Sequence, residues 1–380
     1  MGRTPFDLAD LARLHRLDLE LVQPLSPEQG RALSAITLCR TAALGGHQGV
    51  CLDCDLKAEP SYNSCRNRNC PKCQGLAQER WIANRSRAIL PVPHFHGVFT
   101  LPEDFRLLAR LYPREVYGAL FRCASAALLD LARSRLGLVP GLTLVLHTWT
   151  RELSFHPHLH VLVSAGGLSM DGLAFKQVAE KFLVHVKPLA RRFKTLLMDA
   201  LRALFAKGVF VMTKGAFGAM MASLWEQAWN VHVKKAFRSS SHVLHYLGRY
   251  THRVAIANSR LLAVTKDQVT FRTKDGRKVS LPPVTFLRRF VQHVLPDGFK
   301  KIRHAGLYAS QKALAQAKEL LGVPVATPPV EPTWQEALLA LTGVDPTRCK
   351  GCGGLLGNLA VLPVRLVSRR ARAAPPRSPP

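Results

Sequence analysis

Apolar positions return at helical spacing from residue 26 onward. Ser26-Pro27-Glu28-Gln29 forms an S-x-x-Q capping box with proline at the first helical position, and Gly45-Gly46 supplies the stop. Leu33, Ile36, Leu38 and Cys39 are the apolar positions of this helix, and the segment before it also reads as helical. Residues 47–75 lose the pattern: they are polar, turn-rich and cysteine-rich, with little to bury. A helix resumes over 78–90, a strand is predicted over 94–101, and 105–136 is helical again. Two β-rich segments follow at 142–150 and 154–163, the second ended by Gly166-Gly167.

Residues 176–206 and 223–237 are predicted as helices, the latter setting Trp225 and Trp229 one turn apart toward a core. A further helix is expected over 241–253. A strand meander spans 261–281 with Asp275-Gly276 as its hairpin turn, and helices return at 284–294 and 310–321. Residues 324–332 read as a proline-rich linker, and the arginine- and proline-rich end as a disordered basic tail. Mixed strands and helices without βα alternation give an α+β class. The expected domains are 1–86 (helical and metal-binding), 87–322 (the main domain) and 323–380 (linker, a Cys-x2-Cys pair and tail).

Charge sharpens this picture. The 380 residues carry 53 Lys and Arg against 25 Asp and Glu, a formal balance of +28 spread along the whole chain. Such a surplus selects a polyanionic partner, and nucleic acid fits better than a membrane surface because no basic amphipathic anchor helix stands out. So few acids disfavour a site built from many carboxylates. No apolar run reaches the ~18 residues of a membrane span. The N-terminal residues show no secretory signal, so a bacterial cytoplasmic, nucleoid-associated protein is expected.

Cysteine use is clustered. Cys51-x2-Cys54 and Cys70-x2-Cys73 are two chelating pairs, and together they are expected to close on one structural Zn2+, with Cys65 or His47 as a substitute ligand. Four thiolates leave no open coordination position, so this site is structural. Arg66, Arg68 and Lys72 around it suit DNA phosphate contact. Cys349 and Cys352 form half a site, and Cys39 and Cys123 read as small buried apolar residues.

Residues His156-Pro157-His158-Leu159-His160-Val161-Leu162-Val163 alternate. In a strand, the three histidines share one face and Leu159, Val161 and Val163 the other. Neutral imidazoles on a core-backed strand suit a divalent ion that activates a phosphodiester, Mg2+ or Mn2+. His158 and His160 are the expected ligands, with a third from His94, His96, His156 or Glu152.

Tyr246 and Tyr250 stand four apart in the helix predicted over 242–253. Their hydroxyls fall on one face near His242, Arg249 and Arg253. Beside a metal that polarises phosphate, a phenol held by cations is a nucleophile.

His158-Leu159-His160 resembles the HUH motif, and Tyr246-Leu247-Gly248-Arg249-Tyr250 the Y2 tyrosine motif. Ser64 to Gln74, S-C-R-N-R-N-C-P-K-C-Q, is similar to the zinc module of IS91-type transposases. H-P-H-L-H-V-L-V, Y-L-G-R-Y-T-H-R-V-A-I and the stretch 290–306 resemble the same family, in its order, over residues 25–310. Asn69 stands where that family usually has His, which favours cysteine ligation, and Ser164-Ala165 replaces a common Pro-Gly. The resemblance implies an HUH-nuclease-like antiparallel sheet flanked by helices, preceded by a helical zinc-binding module. It also implies a rolling-circle transposase that cleaves and transfers single-stranded DNA at transposon ends and target. Tyr246 and Tyr250 would form the 5′-phosphotyrosine linkage, with Arg249 and Arg253 on the DNA.

A plasmid replication initiator or relaxase of the HUH type is the nearest alternative, and a non-enzymatic zinc DNA-binding protein is the alternative from another class. The latter leaves the histidine strand without a purpose. No Walker loop is present, and no acidic triad supports a carboxylate-based transposase.

Overall fold

A computed structural model describes residues 6–179, 184–237, 255–323 and 333–365. Helices α1 (Leu8–Val22) and α2 (Pro27–Leu38) open the chain, each started by a capping box, at Asp7 and at Ser26. The cysteine-rich stretch carries strands β1 (Gly46–Cys51) and β2 (Ser61–Tyr62) and leads into α3 (Gly75–Arg87).

The main sheet then forms from β3 (His94–Thr100), β4 (Leu138–Trp149) and β5 (Phe155–Ser169), with β6 (Phe175–Gln177) on the end of β5. Strands β7 (Val231–Phe237) and β11 (Ile302–Gly306) complete it in the order β11-β4-β5-β3-β7, antiparallel throughout. Helices α4 (Phe105–Leu111) and α5 (Pro113–Leu136) lie between β3 and β4; α6 (Val186–Ala206) and α7 (Lys214–Glu226) lie between β6 and β7. A meander of β8 (Leu261–Val264), β9 (Val269–Arg272) and β10 (Lys278–Leu281) precedes α8 (Pro283–Val291). After β11 come α9 (Gln311–Leu320), α10 (Trp334–Thr342) and β12 (Leu356–Leu362). The mixture is α+β, and among the described residues no helix is long and apolar enough to cross a membrane.

Strand alternation gives the sheet two unlike faces. Phe95, Phe99, Leu142, Leu144, Leu146, Leu159, Val161 and Val163 point to one side and form the largest core with α4, α5, α6 and α7. The opposite face carries the histidines. There α3 lays Trp81 against Val145, Leu162 and Ile302, so the helix leading out of the cysteine-rich segment is seated on the histidine face.

A separate core joins α1 and α2 to the meander and α8, through Leu11, Leu33 and Ile36 against Phe271, Phe286 and Phe290. Strand β12 returns to pair with β1, so the sheet at the N-terminal module has the order β12-β1-β2.

Four elements differ from the sequence reading. The helix predicted over 176–206 begins only at Val186, and β6 ends at Gln177 before it. Residues 223–237 are not one helix: α7 ends at Glu226 and β7 begins at Val231. The Val-His-Val-Lys alternation gains more by pairing with the open edge of β3 than by extending the helix. Trp229 is buried while Trp225 is half-exposed. The predicted 105–136 helix is divided at Tyr112-Pro113, because proline starts a helix more readily than it continues one. Strand β5 runs through Gly166-Gly167 instead of stopping there. A side chain at Gly167 would meet the Val139 carbonyl oxygen at 2.2 Å, so this glycine permits close strand approach. The 241–253 helix, the 324–332 linker and the basic end beyond residue 365 lie outside the described residues.

Candidate metal centre and DNA-processing site

The β4–β5 hairpin builds the site. Its register sets His147 directly opposite His158 and Val145 opposite His160. On the other side of β5, Thr100 faces His158, Val98 faces His160 and His96 faces Leu162. Parity therefore puts His96, His147, His158 and His160 on one face. His147, His158 and His160 form a group whose ligating nitrogens all lie within 4.8 Å.

Hydrogen bonds indicate which nitrogens are available. Nδ1 of His158 lies 2.7 Å from the His156 carbonyl oxygen, a partner that only an N–H can serve. That leaves Nε2 of His158 with a bare lone pair. Nδ1 of His160 is 2.8 Å from Nε2 of His96, and its own Nε2 is 3.2 Å from Nε2 of His158. With the His160 proton on Nε2 that contact is an N–H···N hydrogen bond; with the proton on Nδ1 two bare nitrogens face each other. Such a pair repels unless a cation lies between them, and cis nitrogens around an ion with ~2.1 Å bonds are about 3.0–3.4 Å apart. The His147 ring packs at 4.2 Å from that of His160 and stacks at 4.9 Å on Trp149.

Burial keeps these imidazoles neutral. It pushes His158 and His96 down to about 4, and holds His147 and His160 well below the usual histidine range, with neighbouring cationic groups adding to the effect. Neutral rings with oriented tautomers are the form that binds a divalent ion. The donor set contains no carboxylate.

The structure revises the candidates for the third ligand. His94 turns to Tyr308, with Nε2 2.6 Å from its hydroxyl oxygen. His96 touches His160 but lies outside the three-residue group, in a position to orient a ligand. His156 contributes its backbone carbonyl to His158. Glu152 sits at the hairpin tip, paired to Arg277 at 3.2 Å. His147 was missed in the sequence, although it lies in a predicted strand. Pairing that strand with 154–163 across a short turn would have set it opposite His158.

The cysteines regroup as well. Cys51 and Cys54 do not join Cys70 and Cys73. One group is Cys39, Cys65, Cys70 and Cys73; the other is Cys51, Cys54, Cys349 and Cys352. The capping-box helix carries Cys39 into the Leu33 and Ile36 core, where the Cys70 loop also packs. Cys39 is thus a member of the group and not an isolated apolar residue. His47 is exposed on β1 and belongs to neither group.

Two expected DNA cations have structural partners. Arg68 donates to the carbonyls of Phe299, Leu295 and Pro296 at 2.6, 3.1 and 2.7 Å, tying the cysteine loop to the segment after α8. Lys72 pairs with Asp7 at 2.6 Å. Arg66 is exposed. Tyr246, Tyr250, Arg249 and Arg253 lie outside the described residues.

Comparison with known proteins decides the family. Residues 141–315 match a family model, Y2_Tnp, described as "Putative transposase", and residues 12–101 match the transposase zinc-binding domain of IS91. The "Transposase for insertion sequence element IS801" of Pseudomonas savastanoi pv. phaseolicola is 30% identical over 316 residues, covering 79% of this chain and 75% of that protein. The chain belongs to the IS91 transposase family. "Putative transposase y4qJ" of Sinorhizobium fredii is 39% identical to this transposase over 353 residues, 86% of the chain and 88% of the relative. No solved structure gives a significant match. An IS91-family transposase is a DNA-processing enzyme, and DNA is its partner. The match to a zinc-binding domain and the clustered cysteines point to structural zinc.

Proposed function

We propose that this IS91-family transposase cleaves and rejoins single-stranded DNA by a rolling-circle route, through a 5′-phosphotyrosine made by Tyr246 or Tyr250. The observation that carries this reading is the carboxylate-free group of buried His147 and half-buried His158 and His160 on the polar face of the sheet.

Those three residues would hold a divalent ion, Mg2+ or Mn2+. Bound there, it would supply Lewis-acid polarisation of the scissile phosphate. The chain's own groups do the rest. The His156 carbonyl fixes the His158 proton on Nδ1, and His96 holds the His160 ring through a 2.8 Å contact to its Nδ1. Trp149, stacked on His147, gives the site apolar surface on one side. Lys234, exposed on β7 and in register with His96, offers a phosphate contact on the same face, and Arg66 offers one on the zinc module.

A tyrosine oxygen attacks phosphorus as it loses its proton, and the bond to the 3′ oxygen breaks. The 3′ oxygen leaves as a hydroxyl after taking up a proton. One phosphoester replaces another, so rejoining needs no external energy. The second tyrosine permits a second cleavage while the first linkage persists. Cys39, Cys65, Cys70 and Cys73 would hold the zinc of the N-terminal module, whose role is docking or DNA contact. A purely DNA-binding protein would have no use for the histidine group.

The test is denaturing electrophoresis of wild type with single-stranded oligonucleotides from the element's ends. A covalent adduct should form with Mg2+ or Mn2+, vanish with chelator and be absent in Tyr246→Phe/Tyr250→Phe. An adduct that persists in that double variant refutes the nucleophile assignment.

A further inference from the structure

The Cys-x2-Cys turns at residues 51–54 and 349–352 are nearly 300 positions apart, yet they are built alike. In each, the amide of the first cysteine donates to the carbonyl five residues on: Cys51 to Leu56 at 2.9 Å, Cys349 to Gly354 at 2.8 Å. In each, the residue after the second cysteine donates back to the carbonyl of the first: Asp55 to Cys51 at 3.2 Å, Gly353 to Cys349 at 3.0 Å. Both of those residues take a left-handed φ, 55° and 78°. Backbone amides aim at sulfur as well, from Gly351 to Cys349 at 3.3 Å and from Gly354 to Cys352 at 3.4 Å. Amides pointed at sulfur favour thiolate over thiol.

The two turns face one another. Sγ separations are 3.4 Å for Cys51–Cys352, 3.3 Å for Cys54–Cys352 and 3.9 Å for Cys54–Cys349. A tetrahedron with ~2.3 Å metal–sulfur bonds has edges of about 3.8 Å, whereas a disulfide needs about 2.05 Å. The turns interlock at Gly354, where any side chain would strike the Asp53 carboxylate at 2.0 Å.

The C-terminal segment is also tied there by the Leu52 N–H donating to the Leu355 carbonyl at 2.9 Å, by the exposed Lys350–Glu59 pair at 3.4 Å and by α10 against α3. Strand β12 pairs with β1 along its backbone, but its Leu359 and Val361 are exposed. Cys349 and Cys352 also fall outside both matched family regions, 12–101 and 141–315.

We infer that Cys51, Cys54, Cys349 and Cys352 form a second structural zinc site, which clamps the C-terminal β12 segment onto the N-terminal module. The two closed tetrathiolate sites use eight of the nine cysteines and leave only Cys123, buried in α5. The clamp fixes where the basic end of the chain departs, beside the zinc module. This site is independent of the catalytic reading.

The test uses the full-length protein purified with zinc and dialysed against a mild chelator to clear weaker ions. Elemental analysis should find two zinc ions per wild-type chain and one in Cys349→Ser/Cys352→Ser. X-ray absorption of the wild type should show sulfur ligation alone. Cys352→His should keep both ions, since three thiolates and an imidazole still close a tetrahedral site. Trypsin should cut at Arg348 and Lys350 roughly tenfold faster in the double serine variant. One tight zinc per wild-type chain, or two retained in the double serine variant, overturns the inference. Should that variant fail to fold, the wild-type count and its sulfur shell decide alone: nitrogen in the shell counts against the site.

Discussion

His147 does two jobs at the centre: it offers a third imidazole and stacks on Trp149. Replacing it with alanine should weaken Mn2+ binding about a hundredfold while leaving the circular dichroism unchanged. His96→Phe should cost less, about 10- to 100-fold, because it loses only the group that orients His160. Calorimetric titration with Mn2+ separates the two, and equal, negligible losses would remove the site.

Buried histidines away from the candidate ligands contribute to the acid limit. His94, bonded to Tyr308, and His293, bonded to the Leu153 carbonyl, are both held down at about 4 by burial. Above pH 6.5 these rings are neutral in the folded and unfolded chains alike. As pH falls through 6.5 the unfolded chain takes up protons that the folded chain refuses, so stability is lost down to about pH 4. Each ring contributes up to about 3 kcal/mol to that loss. The melting temperature should drop steeply across this window, and less steeply in His94→Gln; a flat profile contradicts the burial assigned here.

At the scale of elements, the α7–β7 junction distinguishes the fold from its sequence reading. Trp229 packs edge-on to Phe105 and Phe193 at 5.5 and 5.6 Å and donates its indole N–H to the Leu224 carbonyl. Trp229→Ala should cost about 3–5 kcal/mol in urea unfolding, against less than about 1 for the half-exposed Trp225→Ala. Equal costs would restore the single helix.

The histidine strand was legible because strict alternation has one structural meaning. The meander and the Ser26-capped helix were legible because turn and cap chemistry is local; the equally local Thr333–Glu336 box that starts α10 was passed over. Strand β7 was not, since its stability comes from the edge of β3, more than 130 residues earlier. The same holds for the cysteines. Spacing shows which two thiols share a turn, but not which turns meet, so Cys39 and the 349/352 pair were undervalued. Arg68 and Lys72 read as free cations for the same reason, their carbonyl and Asp7 partners being distant in sequence.

At the scale of the molecule, a +28 chain is wrapped around a sheet with one greasy face and one histidine face. The zinc module is not a remote appendage. Helix α3 lays Trp81 on the histidine face, and α1 and α2 share a core with the meander and α8. DNA held by the zinc-binding domain would therefore lie beside the histidine group.

The central claim is that this centre serves a tyrosine attacking single-stranded DNA. Tandem mass spectrometry of the covalent adduct, made with a transposon-end oligonucleotide and Mn2+, tests it most directly. The account predicts a nucleotide remnant on Tyr246 or Tyr250, present in wild type and missing in His147→Ala. A remnant on any other residue, or an adduct undiminished in His147→Ala, would contradict it.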